Sequence, residues 1–341
     1  VTVPIFADVD TGVDDAMALV YLLASAEASL VGIASTSGNV AVQQVCINNL
    51  GLLELCRADQ IPVSKGADQP LVGPLRTAED THGPQGLGYA QLAPNDRRVT
   101  AYSAAEAWVL AARAHPGELI GLVTGPMTNL ALALRAEPAL PSLLRRLVIM
   151  GGSFLYRGNT DLVAEWNISV DPEAAAEVFE AWTGRDSLPI VLGLNLTEKI
   201  VMTPARLIRL AEAAGSSTVQ MNVRDPRGTR SVASNPLIRV LEDAMRFYFE
   251  FHLDEGEGFH AHLHDPLAAA VALDPSLVRT RTATVGVELT GTLTRAMTIA
   301  DWYGRWGRTP NAHVGVAVDP IVFFDRLVER VGAFARRLDY S

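Results

Sequence analysis

Asp8, Asp10, Asp14 and Asp15 crowd one short stretch, directly behind an apolar run over residues 1–6 and ahead of another over 16–24. In order, these runs read as a strand, a tight turn at Gly12 and a helix, with the carboxylates at the carboxyl end of the strand. In open α/β sheets that end is where ligands bind. Like charges this close repel and raise one another's pKa, so a fold holds them only with a compensating cation. A divalent ion on oxygen ligands is the simplest compensator. A helix macrodipole favours acids at its N-terminus. That accounts for Asp14 and Asp15 but not for Asp8 and Asp10, which alternate with apolar residues on the strand side.

The rest of the chain repeats the strand–helix alternation. Strands are expected over 29–35, 61–64, 119–124, 146–150 and 189–194. Helices are expected over 40–57, 103–114, 128–134, 171–183, 204–214, 235–253, 267–273 and 321–338. Ser103 followed by Glu106 forms a capping box for the second of these helices. Such alternation predicts an α/β fold, a mostly parallel open sheet with helices on both faces. A small antiparallel annex is expected near 280–300. With 341 residues and 49% hydrophobic content, one domain over 1–341 is the preferred division. The segment 215–234 is polar, carries Asp-Pro-Arg-Gly, and reads as a mobile loop.

The formal net charge of −10 and the lack of any Lys/Arg-rich run argue against nucleic-acid and anionic-membrane partners. Cys46 and Cys56 fall in one expected helix and cannot build a disulfide framework, which points to a reducing, cytoplasmic compartment. No basic-then-apolar leader opens the chain, and no apolar stretch reaches membrane-span length.

Several polar clusters fall at expected strand ends: 8–15, 36–39, Thr124, 150–167 and His264-Asp265. A parallel sheet brings such ends together, so they can share one site. Asp265 then supplies a distant fourth carboxylate, or else simply caps the helix before Pro266. His260, His262 and His264 alternate and would share one face of an extended segment. Zinc is a reading of that triplet, although neither Cys nor Glu is seen to complete it locally. The aspartates suit calcium or magnesium better.

Taken together, these motifs resemble the inosine–uridine-preferring nucleoside hydrolases. Asp8-Val-Asp-Thr-Gly-Val-Asp-Asp-Ala is similar to the family's N-terminal fingerprint, with Thr11 replacing the usual proline. In the family's order follow Ser37-Gly-Asn-Val, His82-Gly-Pro-Gln-Gly-Leu-Gly, Thr124-Gly-Pro-Met-Thr-Asn, Met150-Gly-Gly, Ala164-Glu-Trp-Asn, His264-Asp and Pro310-Asn with Asp319.

The resemblance implies hydrolysis of the N-glycosidic bond of a small-molecule ribonucleoside. It implies one Ca2+ held by Asp10, Asp15, the Thr124 carbonyl and Asp265, with Asp10 as the base that deprotonates water. Asp14, Asn39, Glu165 and Asn167 would hold ribose hydroxyls, with Asn159 and Met150 completing the sugar site. His264 would be the general acid for the leaving base, with His82 lining the base pocket. Histidine at 264 resembles the nonspecific or pyrimidine-accepting branch. Tyr248 and Phe247 either close over the base or belong to the core. A homodimer or homotetramer is implied, as is a role in nucleoside salvage.

Two other readings stand beside this one. Asp8-Val-Asp-Thr11 also fits the phosphatase motif of haloacid dehalogenases, with Asp8 as nucleophile and Asp10 as acid/base. The same fold can also serve a calcium-dependent ribose- or nucleoside-binding protein with no turnover.

Overall fold

The computed structural model describes residues 2–338, so Val1 and residues 339–341 lie outside the described chain. Among the described residues, eleven strands run in chain order: β1 (Val3–Val9), β2 (Ala28–Ser35), β3 (Val63–Lys65), β4 (Leu119–Val123), β5 (Leu144–Met150), β6 (Ile190–Leu192), β7 (Val201–Met202), β8 (Ala261–His262), β9 (Val278–Val287), β10 (Thr298–Asp301) and β11 (Ala312–Val318). Nine of them form one sheet in the order β10-β9-β11-β6-β5-β4-β1-β2-β3. Every neighbour pairing from β11 to β3 is parallel. The fold class is therefore the α/β sheet expected.

The antiparallel part comprises β9 with β10 and β11. It is continuous with the main sheet because β11, which sequence patterning missed, pairs parallel to β6. A separate antiparallel pair joins β7 to β8.

The chain lays β1, β2 and β3 outward in one direction, then returns to place β4 on the other side of β1. This reversal opens a crevice at the carboxyl ends of β1 and β4, the place where such sheets bind ligands. Helices pack on both faces. Ile5, Ala7 and Val9 of β1 face a core built with the helices Val13–Ala24, Pro236–Asp254, His264–Leu273 and Pro320–Arg337. Phe6, the alternate position, faces the other core, built around the helices Ala104–Ala114, Thr128–Ala136 and Pro172–Ala181. The period of two along a strand thus assigns Asp8 to the face of Phe6.

The helix starts follow their capping residues. The Ser103–Glu106 capping box forms, and Asp171 and Asn235 cap the helices at Pro172 and Pro236. One boundary moves with consequence: the helix expected at 267 begins at His264, behind Leu263. Asp265 therefore sits in the first turn with its side chain free for other partners, rather than capping the helix.

Segment 215–235 contains no regular element, yet it is tied down to the helix Pro236–Asp254. Ser231 N–H donates to Asp243 (2.7 Å), Gly228 N–H donates to Glu250 (3.0 Å), and Arg230 pairs with Asp243 (3.1 Å). Arg246, fully buried, joins Glu250 to the carbonyls of Asp225 and Pro226. The expected mobile loop is a strapped one, because buried acidic and basic side chains of the helix use its backbone as their partner. Among the described residues, no helix is long and apolar enough to cross a membrane.

Candidate active site

The four clustered aspartates separate into two environments. Asp8 points away from the crevice. Its Oδ1 accepts hydrogen bonds from Thr36 Oγ1 (2.8 Å) and Asn129 Nδ2 (3.0 Å), and its Oδ2 accepts one from Trp108 Nε1 (2.7 Å). Burial lifts its pKa to about 6 against the pull of those three donors. Asp8 is a strut between β1, β2 and the helices behind them. With both oxygens engaged it cannot serve as a nucleophile, which removes the structural basis of the phosphatase reading.

Asp10, Asp14 and Asp15 turn into the crevice, where Asp265 joins them. Asp10 Oδ2 accepts the Asn39 N–H (2.8 Å), while its Oδ1 is buried with no partner. Asp15 accepts the Thr124 hydroxyl (2.7 Å) on one oxygen, and the Gly12 N–H (2.9 Å) and Asn39 Nδ2 (3.2 Å) on the other. Asp14 Oδ2 accepts the backbone N–H groups of His264 (3.2 Å) and Asp265 (3.4 Å). Burial and mutual repulsion push Asp10 and Asp265 well above the ordinary carboxylate range and Asp14 to about 7.

Space is as tight as charge. A Cβ on Gly38 would lie 2.1 Å from Asp10 Oδ2, and one on Gly12 would lie 2.5 Å from Asn39 Nδ2 and 2.6 Å from His82 Nδ1. Gly12 has φ −90°, so close approach, not backbone handedness, requires glycine there.

The donor set fits a hard dication: carboxylates with little compensation, one orphaned buried oxygen, and no soft ligand. One carboxylate oxygen from each of Asp14, Asp15 and Asp265 lies within 4.8 Å of the other two. Asp10 stands beside this trio rather than inside it, and the Thr124 carbonyl already accepts from Asn167 Nδ2 (2.7 Å).

Above the carboxylates opens a pocket lined by Asp14, Asn39, His82, Met150, Asn159, Glu165, Asn167, Tyr248, His264 and Asp265, among others. Every residue expected to touch substrate therefore lines it. Their internal bonds differ, however. Glu165 caps the short helix Trp166–Val170 and accepts three N–H groups, from Asn167 (2.8 Å), Ile168 (3.1 Å) and Gly152 (3.0 Å). Burial nonetheless raises it to about 7. Asn167 Nδ2 ties the ends of β4 and β5 through the carbonyls of Thr124 and Met150. Asn159 is exposed at the rim, with its Oδ1 accepting the Thr160 and Trp166 N–H groups at 3.0 Å each.

His82 is buried in the short helix Glu79–His82, where its Nδ1 accepts the Val13 N–H (3.1 Å) and burial lowers its pKa to about 3. Its ring centroid is 5.3 Å from that of Tyr248, so Tyr248 belongs to the pocket while Phe247 packs on Tyr89 instead. His264 Nδ1 is 2.7 Å from the Thr197 hydroxyl, which leaves Nε2 as the free nitrogen. Burial and the surrounding imidazoles hold His264 well below its ordinary pKa. The alternating histidines do not act as one set: His262 faces His252 and Glu257, and that glutamate lies five residues before His262.

Thr197 escaped the sequence reading, and Asn129 entered it only as the end of the Thr124-Gly-Pro-Met-Thr-Asn motif, with no role assigned. Both follow the carboxyl ends of strands, β6 and β4 respectively, which is the signal that would have found them.

The sequence profile described as "Inosine-uridine preferring nucleoside hydrolase" matches residues 5–325. The chain belongs to this family. It is an N-glycosyl hydrolase of ribonucleosides. The chain is 37% identical over 336 residues to the pyrimidine-specific ribonucleoside hydrolase RihA of Enterobacter sp. (strain 638), covering 98% of this chain and 99% of that protein. Among solved structures, the plant nucleoside hydrolase PpNRh1 superposes with a TM-score of 0.85 at 30% identity, over 98% of this chain and 100% of that one. A purine-preferring ribonucleoside hydrolase from Gardnerella vaginalis gives 0.86 at 28% identity, over 98% and 99%. Relatives of both base preferences therefore share this hydrolase fold, and the reading of a binding protein without turnover has no support among them.

Proposed function

We propose that this hydrolase is calcium-dependent and prefers pyrimidine ribonucleosides, with Asp10 as general base and His264 as general acid. The observation that carries the reading is an orphaned, buried Asp10 oxygen beside the acidic floor, together with a tethered imidazole, His264, that lines the pocket with Asp14 and Asp265. Asp10, Asp15, Asp265 and the Thr124 carbonyl would hold the ion, with Asp14 beside them. When bound, a divalent cation supplies an anchor for the sugar hydroxyls and water of lowered pKa.

Asp10 Oδ1 accepts the proton of the attacking water, while the Asn39 N–H keeps the other oxygen in place. The water oxygen forms its bond to the sugar C1′ as the C1′–N bond breaks and the base leaves with the electron pair. The ribosyl group passes through an oxocarbenium-like state, which the surplus of carboxylates around it stabilises. Asp14, Asn39, Glu165 and Asn167 bind ribose hydroxyls, with Met150 and Asn159 closing the sugar end. His264 takes up a proton to act: in the imidazolium form Nδ1–H donates to the Thr197 hydroxyl, Nε2 gives its proton to the departing base, and the ring returns to neutral. His82 and Tyr248 line the base end.

Pyrimidine preference is supported by histidine at 264 and by the pyrimidine-specific relative along nearly the whole chain. We further read the chain as one domain over 1–341, a homodimer or homotetramer, acting in the cytoplasm, where the buried free thiols Cys46 and Cys56 stay reduced.

The test is ribose release from uridine, cytidine, inosine, adenosine and guanosine, with and without a chelator and with calcium restored. Chelator-sensitive release, fastest on uridine and cytidine, is expected. Chelator-insensitive release overturns the metal assignment, and faster release from purines overturns the base preference.

A further inference from the structure

We propose that His252, Glu257 and His262 form a second metal site, for a borderline dication of the zinc class, at the mouth of the pocket. His252 lies near the end of the helix Pro236–Asp254, Glu257 in the turn after it, and His262 on β8. Glu257 Oε2 is 3.1 Å from His252 Nδ1 and 3.5 Å from His262 Nε2. One ligand atom from each residue lies within 4.8 Å of the other two. Zinc bonds of about 2.0–2.1 Å set tetrahedral ligand atoms about 3.4 Å apart, and the two short separations bracket that edge.

Two further observations point to an ion rather than to an ordinary ion pair. Glu257 spends its other oxygen, Oε1, on Arg157 Nη2 (2.8 Å), which holds Oε2 toward the imidazoles. His252 is 6% exposed, and neither of its ring nitrogens has a hydrogen-bond partner. Its close approach to Glu257 therefore lacks the alignment of an N–H···O bond. His262 Nδ1 is buried without a partner as well. Buried polar nitrogens left in this state are costly, and metal ligation relieves the cost at His252 Nδ1, the orphaned nitrogen that faces Glu257.

The donor chemistry separates this site from the carboxylate floor. Two imidazoles and one carboxylate select zinc, cobalt or nickel, whereas an all-oxygen set selects calcium or magnesium. The ring of His262 is 5.9 Å from that of His264, so the ion would sit beside the imidazole at the base end of the pocket.

The experiment titrates the full-length protein, kept in excess Ca2+, with Zn2+ by calorimetry. Metal content is measured after gel filtration, and Co2+ serves as a visible-absorption probe. One Zn2+ per chain is expected in the presence of Ca2+, and it is retained in Asp10→Asn. Glu257→Gln, at a partly exposed side chain, should weaken it by more than about 100-fold, since even outer-shell changes cost up to that factor. The same change should abolish the Co2+ d–d band, and the double change His252→Asn, His262→Asn should do likewise. Absence of a zinc equivalent when Ca2+ is present, or a zinc affinity that survives Glu257→Gln and falls with Asp10→Asn, overturns the proposal.

Discussion

The pocket has an acidic floor and a histidine-rich wall, and the two are built in opposite ways. The floor gathers Asp10, Asp14, Asp15 and Asp265, whose last member lies 250 residues from Asp15. The wall draws His252, His262 and His264 from one short stretch, joined by His82. Burial raises the floor carboxylates and lowers the wall imidazoles His82, His252, His262 and His264. Both shifts favour the neutral form. Neutrality is harmless for an imidazole, which still offers one donor and one acceptor. For clustered carboxylates it removes the charge that catalysis needs, unless a cation restores it. The floor therefore depends on an ion for its charge, while the wall rests uncharged and must take up a proton before it can give one.

Substitutions sharpen this contrast, the largest effect coming from the floor. Asp10→Ala should lower ribose release from uridine by about 10²–10⁴-fold or more, since it removes a general base and a metal ligand. Turnover near that of the parent would show that the orphaned Oδ1 does not take the proton.

On the wall, His264→Ala should cost uridine hydrolysis about 10²-fold or more, while p-nitrophenyl riboside, whose leaving group needs no proton, loses far less. Equal losses on the two substrates would reduce His264 to a group that merely orients Asp265. Thr197→Val should act in the same direction more weakly. Losing the hydrogen bond that fixes the ring is worth about 1 kcal/mol, roughly a fivefold to tenfold fall in kcat for uridine with KM little changed. A KM effect with unchanged kcat would place Thr197 in substrate binding instead.

The smallest effect on turnover is expected at Asp8, the aspartate that belongs to neither region. Asp8→Asn should leave kcat within about threefold of the parent but lower stability by about 1–3 kcal/mol, because an amide cannot accept from all three buried donors. Thermal unfolding and ribose release on the same sample test both halves. Loss of all turnover without loss of stability would return Asp8 to the chemistry.

The contrast between Asp8 and Asp10 marks how far the sequence could be read. The strand–turn–helix at residues 3–24, the alternation that builds the sheet, and the ordered motifs of the hydrolase family were all legible, since each depends on neighbours in sequence or on fixed spacing. The pocket lining expected at Asn39, Asn167 and His264 followed from strand ends converging, and that at His82 from the family resemblance. The role of Asp8 did not, because its three partners lie 28, 100 and 121 residues away. The metal-ligating group of His252, Glu257 and His262 was hidden for a different reason. The extended alternation of 260–264 drew attention to His260 and His264, whereas the helix end at His252 supplies the second imidazole.

Periodicity, turn chemistry and motif order are written along the chain and survive in any local window, so they settle fold class and reaction family. The direction in which a carboxylate or imidazole points is another matter. It depends on which distant donors meet it once helices close over the sheet. Buried polar groups must find partners, and packing alone selects whether those partners satisfy a side chain, as at Asp8, or leave an oxygen open for chemistry, as at Asp10.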